Sequence, residues 1–302
     1  MNFDQITQIP PGAKVIYLDA SSLKYLACEQ RYAYSTIAGL RHTNPSDVLD
    51  CGSAIHKFAE LYATGVEYVD ALSQAISAYP RADKQAMIKV CAGRESIRIP
   101  PALMLNGKHA VEFYFEVPWR ATVIDGVVYA IVICGTIDHL ALDGQTIRII
   151  DYKSTRKWKV EDIEKKYAYE VQLRFYPWVL KKFGAALLPI ELYNIAYAGR
   201  MTAQVCAVQV SGNNPRWILL SPQSLTEHQY QVFDFEMESV LQQIVELRIR
   251  DPKRNGLLSN LCEWCDYAPL CHAQSESVKD IVQSESFAVK EYKPSNHGKI
   301  TT

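Results

Sequence analysis

No apolar run in the sequence reaches 18 residues, so it holds no candidate for a membrane-spanning helix and no membrane partner is expected. Residues 1–11 carry Asp4 and lack a basic stretch followed by an apolar core. No export signal is therefore expected there, and the expected location is cytoplasmic. No G-x-x-x-x-G-K-[ST] occurs, which excludes a built-in P-loop ATP motor; G-x-S-x-G and H-E-x-x-H are absent as well. Charge of neither sign is in surplus, with 32 Lys and Arg against 33 Asp and Glu. That balance excludes a globally basic nucleic-acid binder but leaves room for a local basic surface. No internal repeat or low-complexity tract is present. What remains is an ordinary globular chain of 302 residues, 48% hydrophobic and 22% charged. A chain of that length buries about three quarters of its unfolded surface and folds without disulfides.

The first part reads as helical. Ser21 or Ser22 is a candidate cap for a helix running to about Leu40. Further helices are expected over about Val48–Thr64, closed by Gly65, and over Tyr68–Tyr79 and Asp83–Ile97. Pro100 and Pro101 interrupt this pattern. His109–Trp119, Val127–Leu142 and Thr146–Lys153 are rich in Val, Ile, Tyr and Phe and read as strands. Asp125-Gly126 and Asp143-Gly144 are hairpin turns between them. A long helix is expected over Glu161–Lys182, then strands near Glu191–Ala198, Ala203–Val210 and Trp217–Leu220, then a helix over Leu225–Ile249. The expected fold class is α/β, a mixed central sheet flanked by helices. One domain is expected over 18–272, with a mainly helical lobe (18–105), a catalytic sheet core (108–220) and a helix leading to a cysteine cluster (221–272). Residues 273–302 are expected to form a mobile tail.

Chemistry concentrates in Gly135-Thr136-Ile137-Asp138 and Ile149-Ile150-Asp151-Tyr152-Lys153. On a strand, Asp151 and Lys153 share a face, and pairing across the hairpin brings Asp138 beside them. Adjacent carboxylates repel, and a divalent cation relieves the repulsion while activating water and neutralising phosphoryl charge. A nearby lysine stabilises developing negative charge. A lone D-x-K is ordinarily a surface ion pair, and two further features bear on the choice. Gly52-Ser53-Ala54-Ile55-His56 lies in the second expected helix; Gln172 and Tyr176, four apart, share a helix face.

The order G-x-x-x-H, G-x-x-D, D-x-K, Q-x-x-x-Y resembles the PD-(D/E)XK nuclease superfamily, in particular its RecB-type branch. That branch includes CRISPR-associated exonucleases and the nuclease domains of bacterial recombination helicase–nucleases. The likeness runs from about Leu18 to Cys271. It implies a restriction-endonuclease-like fold and a deoxyribonuclease, in particular an exonuclease. The implied roles are Mg²⁺ or Mn²⁺ ligation by His56, Asp138 and Asp151, with the Tyr152 carbonyl as a further ligand. Lys153 is implied as catalytic alongside Asp138 and Asp151. Gln172 and Tyr176 are implied to lie beside the site, against the substrate or the lysine. Ile137 stands where the superfamily name has proline, a position that varies widely. An imidazole ligand suits Mn²⁺ better than Mg²⁺, so higher activity with Mn²⁺ is expected. Glu112, on the preceding expected strand, is either a further acidic group near the metal or a solvent-facing strand residue.

Eight cysteines without an export signal argue against a disulfide framework. Cys51, Cys91, Cys134 and Cys206 lie in apolar or helical contexts and read as small buried hydrophobes. Cys262, Cys265 and Cys271 form C-x2-C-x5-C, one thiolate short of a complete set. In the iron–sulfur members of the same family, three such cysteines join one near the N-terminus around a [4Fe-4S] cluster. By that resemblance the fourth is Cys28. Those relatives usually carry proline after the first cysteine, where this chain has Glu29. The alternative is Zn²⁺, with His272 in place of Cys28. A site that includes Cys28 would close a loop of about 234 residues and remove several kcal/mol of chain entropy.

From Lys153 to Lys182 nine basic residues stand against four acidic ones. Arg156, Lys157 and Trp158 are the candidates for binding a single-stranded backbone and its bases. Processive degradation of duplex DNA would call for a helicase or other recombination partner. The expected role is DNA recombination, repair, or phage or plasmid DNA processing. Two rivals stand beside it: a non-catalytic DNA-binding subunit of a larger complex, and a zinc-stabilised structural protein.

Overall fold

The structure is a computed structural model describing residues 3–43, 47–157, 159–210, 215–254 and 260–290. It opens with strands β1 (Asp4–Gln5) and β2 (Lys14–Leu18), helices α1 (Ala20–Tyr25) and α2 (Glu29–Tyr32), and strand β3 (Leu40–His42). The single helix expected up to Leu40 is therefore broken. Asp19, rather than Ser21 or Ser22, caps α1, accepting from the Ser22 N–H at 2.6 Å while Ser22 Oγ accepts from the Asp19 N–H at 2.9 Å. The break falls at Cys28, whose extended backbone (φ −134°) starts α2.

Helices α3 (Asp47–Ala63), α4 (Tyr68–Ala78) and α5 (Lys84–Ala92) follow as expected, with Gly65 (φ +85°) after α3 and Asp83 capping α5. A short hairpin, β4 (Met104–Leu105) and β5 (Lys108–His109), leads into the long strands β6 (Val111–Ile124), β7 (Val127–Asp143) and β8 (Thr146–Thr155). Asp125 and Gly126 both have positive φ (+49° and +76°), the geometry a two-residue hairpin loop requires.

The helix expected over 161–182 is two helices, α6 (Val160–Tyr167) and α7 (Gln172–Leu187). At the break, the Tyr167 hydroxyl donates to the Ser154 carbonyl (3.2 Å) and so anchors the end of α6. The strand expected near 191–198 is a helix, α8 (Ile190–Tyr197). Its apolar residues mimic alternation, but Ile190 and Tyr197 face solvent and Gly199 (φ +71°) closes it. The remaining elements are β9 (Met201–Gln209), β10 (Trp217–Leu219), α9 (Glu227–Glu246), α10 (Ala268–Cys271), α11 (Glu276–Ser286) and β11 (Phe287–Val289). Hydrogen-bonded strand order is β1-β6-β7-β8-β9-β10, with β2 added to β7. It is the mixed sheet, with helices, that the sequence predicts.

The chain divides into two compact units, each assembled from separate segments. Residues 18–105, expected as one helical lobe, are shared between them. One unit holds 3–43, 116–135 and 235–290 within the described residues. In it β2 runs parallel to the first half of β7, with Lys14 opposite Tyr129 and Leu18 opposite Ile133. Residues 276–289, expected to belong to a mobile tail, form α11 and β11. β11 pairs with β3 (Phe287 opposite His42), and the Phe287 ring stacks on Tyr267 with centroids 5.5 Å apart. Phe287 and, in part, Val282 are the anchors, while Val278, Ile281 and Val289 are exposed. Residues 291–302 lie outside the described residues.

The second unit holds 47–115 and 136–234, again within the described residues. The end of β7 pairs antiparallel with β8 (His139 opposite Ile150), and β8 runs parallel to β9 (Asp151 opposite Val205). Helices α3 and α5 bury Ile55, Phe58, Met87 and Val90 against Ile150, Tyr152, Cys206 and Trp217. Gly52 permits this close approach: a Cβ there would stand 3.2 Å from Ser154 Oγ on β8. One turn on, α3 brings His56 within reach of Asp138 on β7. Cys91, Cys134 and Cys206 are buried, and burial pushes the Cys91 and Cys206 thiols up to about 12, as expected of inert core residues.

Candidate metal-binding active site and cysteine recess

One residue past the His139–Ile150 pair, where the β7–β8 pairing ends, stand Asp138 on β7 and Asp151 on β8. Asp138 Oδ2 accepts the Tyr152 N–H at 2.7 Å, which fixes the carboxylate across the hairpin. His56 Nδ1 lies 3.5 Å from the same oxygen. Glu112 completes the group: one donor atom each from His56, Glu112 and Asp138 lies within 4.8 Å of the other two. Of the two readings open for Glu112, the structure supports the acidic group beside the site. Its backbone is left-handed (φ +46°), a conformation costing a non-glycine residue roughly 1–2 kcal/mol and concentrated at functional sites.

Lys153 and Asp151 form a tight pair. Lys153 Nζ donates to Asp151 Oδ1 at 2.7 Å and lies 2.6 Å from Oδ2, at an angle that makes no hydrogen bond. Asp151 is 1% exposed, so Oδ2 is a buried acceptor with no hydrogen bond. Burial, together with the Asp138 charge, raises the Asp151 carboxyl to about 6 against the opposing pull of Lys153. Burial and the charges of Asp138 and Glu60 push Glu112 up to about 8. Burial works against the Lys153 ammonium, but Asp151 and Asp138 outweigh it and hold its proton above the ordinary lysine range. The two carboxylates and one imidazole of Glu112, Asp138 and His56 fit a divalent cation of the Mg²⁺ or Mn²⁺ type.

The helical pair is formed: Gln172 Nε2 donates to Tyr176 Oη at 3.2 Å, and Tyr176 Oη donates to the Thr136 carbonyl at 2.8 Å. Tyr176 is 4% exposed, so it braces the strand two residues before Asp138 and presents almost no surface to a substrate. Tyr152 likewise has a buried ring, its hydroxyl 3.3 Å from His139 Nδ1. Arg156 and Lys157 are exposed just beyond β8. Trp158 lies outside the described residues.

In the other unit, Cys28, Cys262, Cys265 and Cys271 line one recess with Arg31, Arg254 and His272. Burial raises the Cys271 thiol, and Cys265, Cys28 and Cys262 raise it further, while Arg254 pulls it down. The four thiols therefore converge although 28 and 262 are far apart in sequence. The members of both candidate sets, the four cysteines and the one with His272 in place of Cys28, line this recess.

The family model described as the PD-(D/E)XK nuclease superfamily matches residues 20–272. No curated protein matches the chain. Among solved structures, a candidate exonuclease from Eubacterium rectale is 13% identical with a TM-score of 0.48, covering 83% of this chain and 88% of its own. The protein SSO0001 is 12% identical with a TM-score of 0.27, covering 86% of this chain and 87% of its own.

Proposed function

The chain belongs to the PD-(D/E)XK nuclease superfamily, and from that premise we propose that it is a deoxyribonuclease of the RecB-type branch, an exonuclease acting on single strands or free ends. Membership carries hydrolysis of phosphodiester bonds and use of a divalent cation. The observation that best supports the reading is the convergence of His56, Glu112 and Asp138 beside the Asp151–Lys153 pair.

His56, Glu112, Asp138 and Asp151, with the Tyr152 carbonyl, would hold Mg²⁺ or Mn²⁺, and Mn²⁺ is the better match for the imidazole. When bound, such an ion supplies Lewis acidity to a phosphoryl oxygen and lowers the pKa of water. Lys153 keeps its proton between two carboxylates and offers that charge to the attacked phosphate. Tyr176 keeps the Asp138 strand in register through Thr136. Arg156 and Lys157 attract the substrate backbone.

The cysteine recess suits a [4Fe-4S] cluster on Cys28, Cys262, Cys265 and Cys271, with Arg31 and Arg254 offsetting the thiolate charge. Zn²⁺ is the second reading, favoured by His272 on the same recess. Free thiols throughout accord with a reducing, cytoplasmic setting and a role in DNA repair, recombination or foreign-DNA processing. With no P-loop, the chain would rely on a separate helicase to open duplex DNA.

Linear and circular single-stranded DNA, each incubated with Mn²⁺, test the proposal, alongside a visible absorption spectrum of anaerobically purified protein. Degradation of the linear substrate alone by a brown protein is expected. Equal cutting of circles would overturn the exonuclease assignment. A colourless protein containing zinc would overturn the cluster.

A further inference from the structure

Residues 250–254 carry a set of polar contacts that the chemistry at the sheet does not use. Glu29, next to Cys28, is 4% exposed, and its carboxylate accepts four hydrogen bonds. Arg250 grips it with two prongs, Nη1 to Oε2 at 2.8 Å and Nη2 to Oε1 at 2.9 Å. The Lys253 N–H adds 2.9 Å to Oε2, and Gln243 Nε2 adds 3.3 Å to Oε1. The Lys253 carbonyl in turn accepts the Gln30 N–H at 3.1 Å. Arg254 Nη1 then reaches the Cys271 carbonyl at 2.8 Å. On the other flank, the buried Tyr267 hydroxyl donates to the Leu40 carbonyl at 2.9 Å. A bidentate arginine on a buried carboxylate is among the stronger polar contacts a protein makes. Every one of these contacts joins an N-terminal segment to the C-terminal one or acts within the latter, and none uses a sulfur.

We propose that Glu29, Arg250, Lys253 and Arg254 form a clamp that holds Cys28 against the C-terminal cysteines with protein contacts alone. Whatever the thiols bind then enters a pre-formed recess and leaves it without unfolding this unit. The inference rests on the reading of the four cysteines as a metal-binding set. Its physical basis is loop closure. Without the clamp, the Leu40–Tyr267 bond still ties the two segments, and the open stretch between Cys28 and Cys262 is about 17 residues. With residue 29 already tied to residue 253, the open stretch is about ten residues. The three-halves power law then raises the effective concentration of Cys28 at the other thiols about twofold. Glu29 and Arg250 are positioning residues, acting through Cys28.

The test uses the full chain, reduced and stripped with a chelator, titrated with Co²⁺ and followed by its thiolate charge-transfer absorption. Wild type is compared with Glu29→Gln and with Arg250→Gln, each of which breaks the two-pronged pair outside the recess. Both variants should bind Co²⁺ at least about twofold more weakly and reach the wild-type spectrum at saturation. Hydrogen exchange on the stripped proteins provides a metal-independent reading. Amides at 28–32 and 265–272 should be protected in wild type and lose protection together in Glu29→Gln. Variants that bind Co²⁺ as tightly as wild type would overturn the clamp, as would unprotected amides in stripped wild type. If wild type shows no thiolate–Co²⁺ absorption, the cysteine-site reading fails, and hydrogen exchange still decides the clamp.

Discussion

Cation binding at the sheet should release a proton from Glu112, and Glu112→Gln isolates that proton. Burial and the charges of Asp138 and Glu60 push this carboxyl up to about 8. At pH 7 it is therefore about nine-tenths protonated, and a cation bound through it displaces about 0.9 of a proton. The cost, relative to the high-pH limit, is about 1.4 kcal/mol, or roughly a tenfold loss of affinity. The sign follows from the raised value: affinity climbs as pH rises toward 8 and levels off above it. Mn²⁺ binding by wild type should tighten about fivefold between pH 7 and pH 8. Glu112→Gln should bind more weakly at every pH and lose this increment. Calorimetric titrations at pH 7 in two buffers of different ionisation enthalpy count the protons. Wild type should release close to one per ion and the variant close to none. Equal release from both proteins, or none from wild type, would refute the placement of Glu112 as a ligand.

Tyr176→Phe removes the bond to the Thr136 carbonyl, so it should cost about 1–2 kcal/mol in urea melts and slow hydrolysis with little change in DNA affinity. Gly52→Val places side-chain atoms where a Cβ already stands 3.2 Å from Ser154 Oγ; it should destabilise by about 1–3 kcal/mol and weaken Mn²⁺ binding through the displaced His56, both measurable on one preparation by melting and calorimetry. Arg156→Gln with Lys157→Gln should lower the salt-dependence slope of single-stranded DNA binding by about 1.4 in fluorescence anisotropy, leaving Mn²⁺ affinity unchanged.

The parts of the fold that the sequence discloses are those governed by local pattern. The strands β6, β7 and β8 are rich in Val, Ile, Tyr and Phe, and Asp-Gly turns punctuate them. The register of the β7–β8 hairpin places Asp138 beside Asp151 and Lys153, and the order of motifs around them is what marks them as a candidate site. The misreadings lie where distant contacts decide. The break before α2 depends on Arg250 and Lys253 holding Glu29, more than 200 positions away. α8 shows strand-like alternation, yet Pro189 at its start and Gly199 at its end bound a helix. α11 and β11 look like a polar tail until Phe287 meets Tyr267. Glu112 joins the site with a left-handed backbone that no residue type announces, and Glu29 reads as a departure from pattern until its four partners are known.

The most direct test of the account is cation-dependent hydrolysis of labelled single-stranded DNA by wild type, Lys153→Met and Asp138→Asn. Wild type should release acid-soluble nucleotides only with added Mn²⁺ or Mg²⁺. Both variants should lose at least about a hundredfold in rate, as expected when a charge aimed at the reacting phosphate is removed, while retaining the wild-type circular dichroism spectrum. Hydrolysis that survives chelation, or that persists at the wild-type rate in either folded variant, would contradict it.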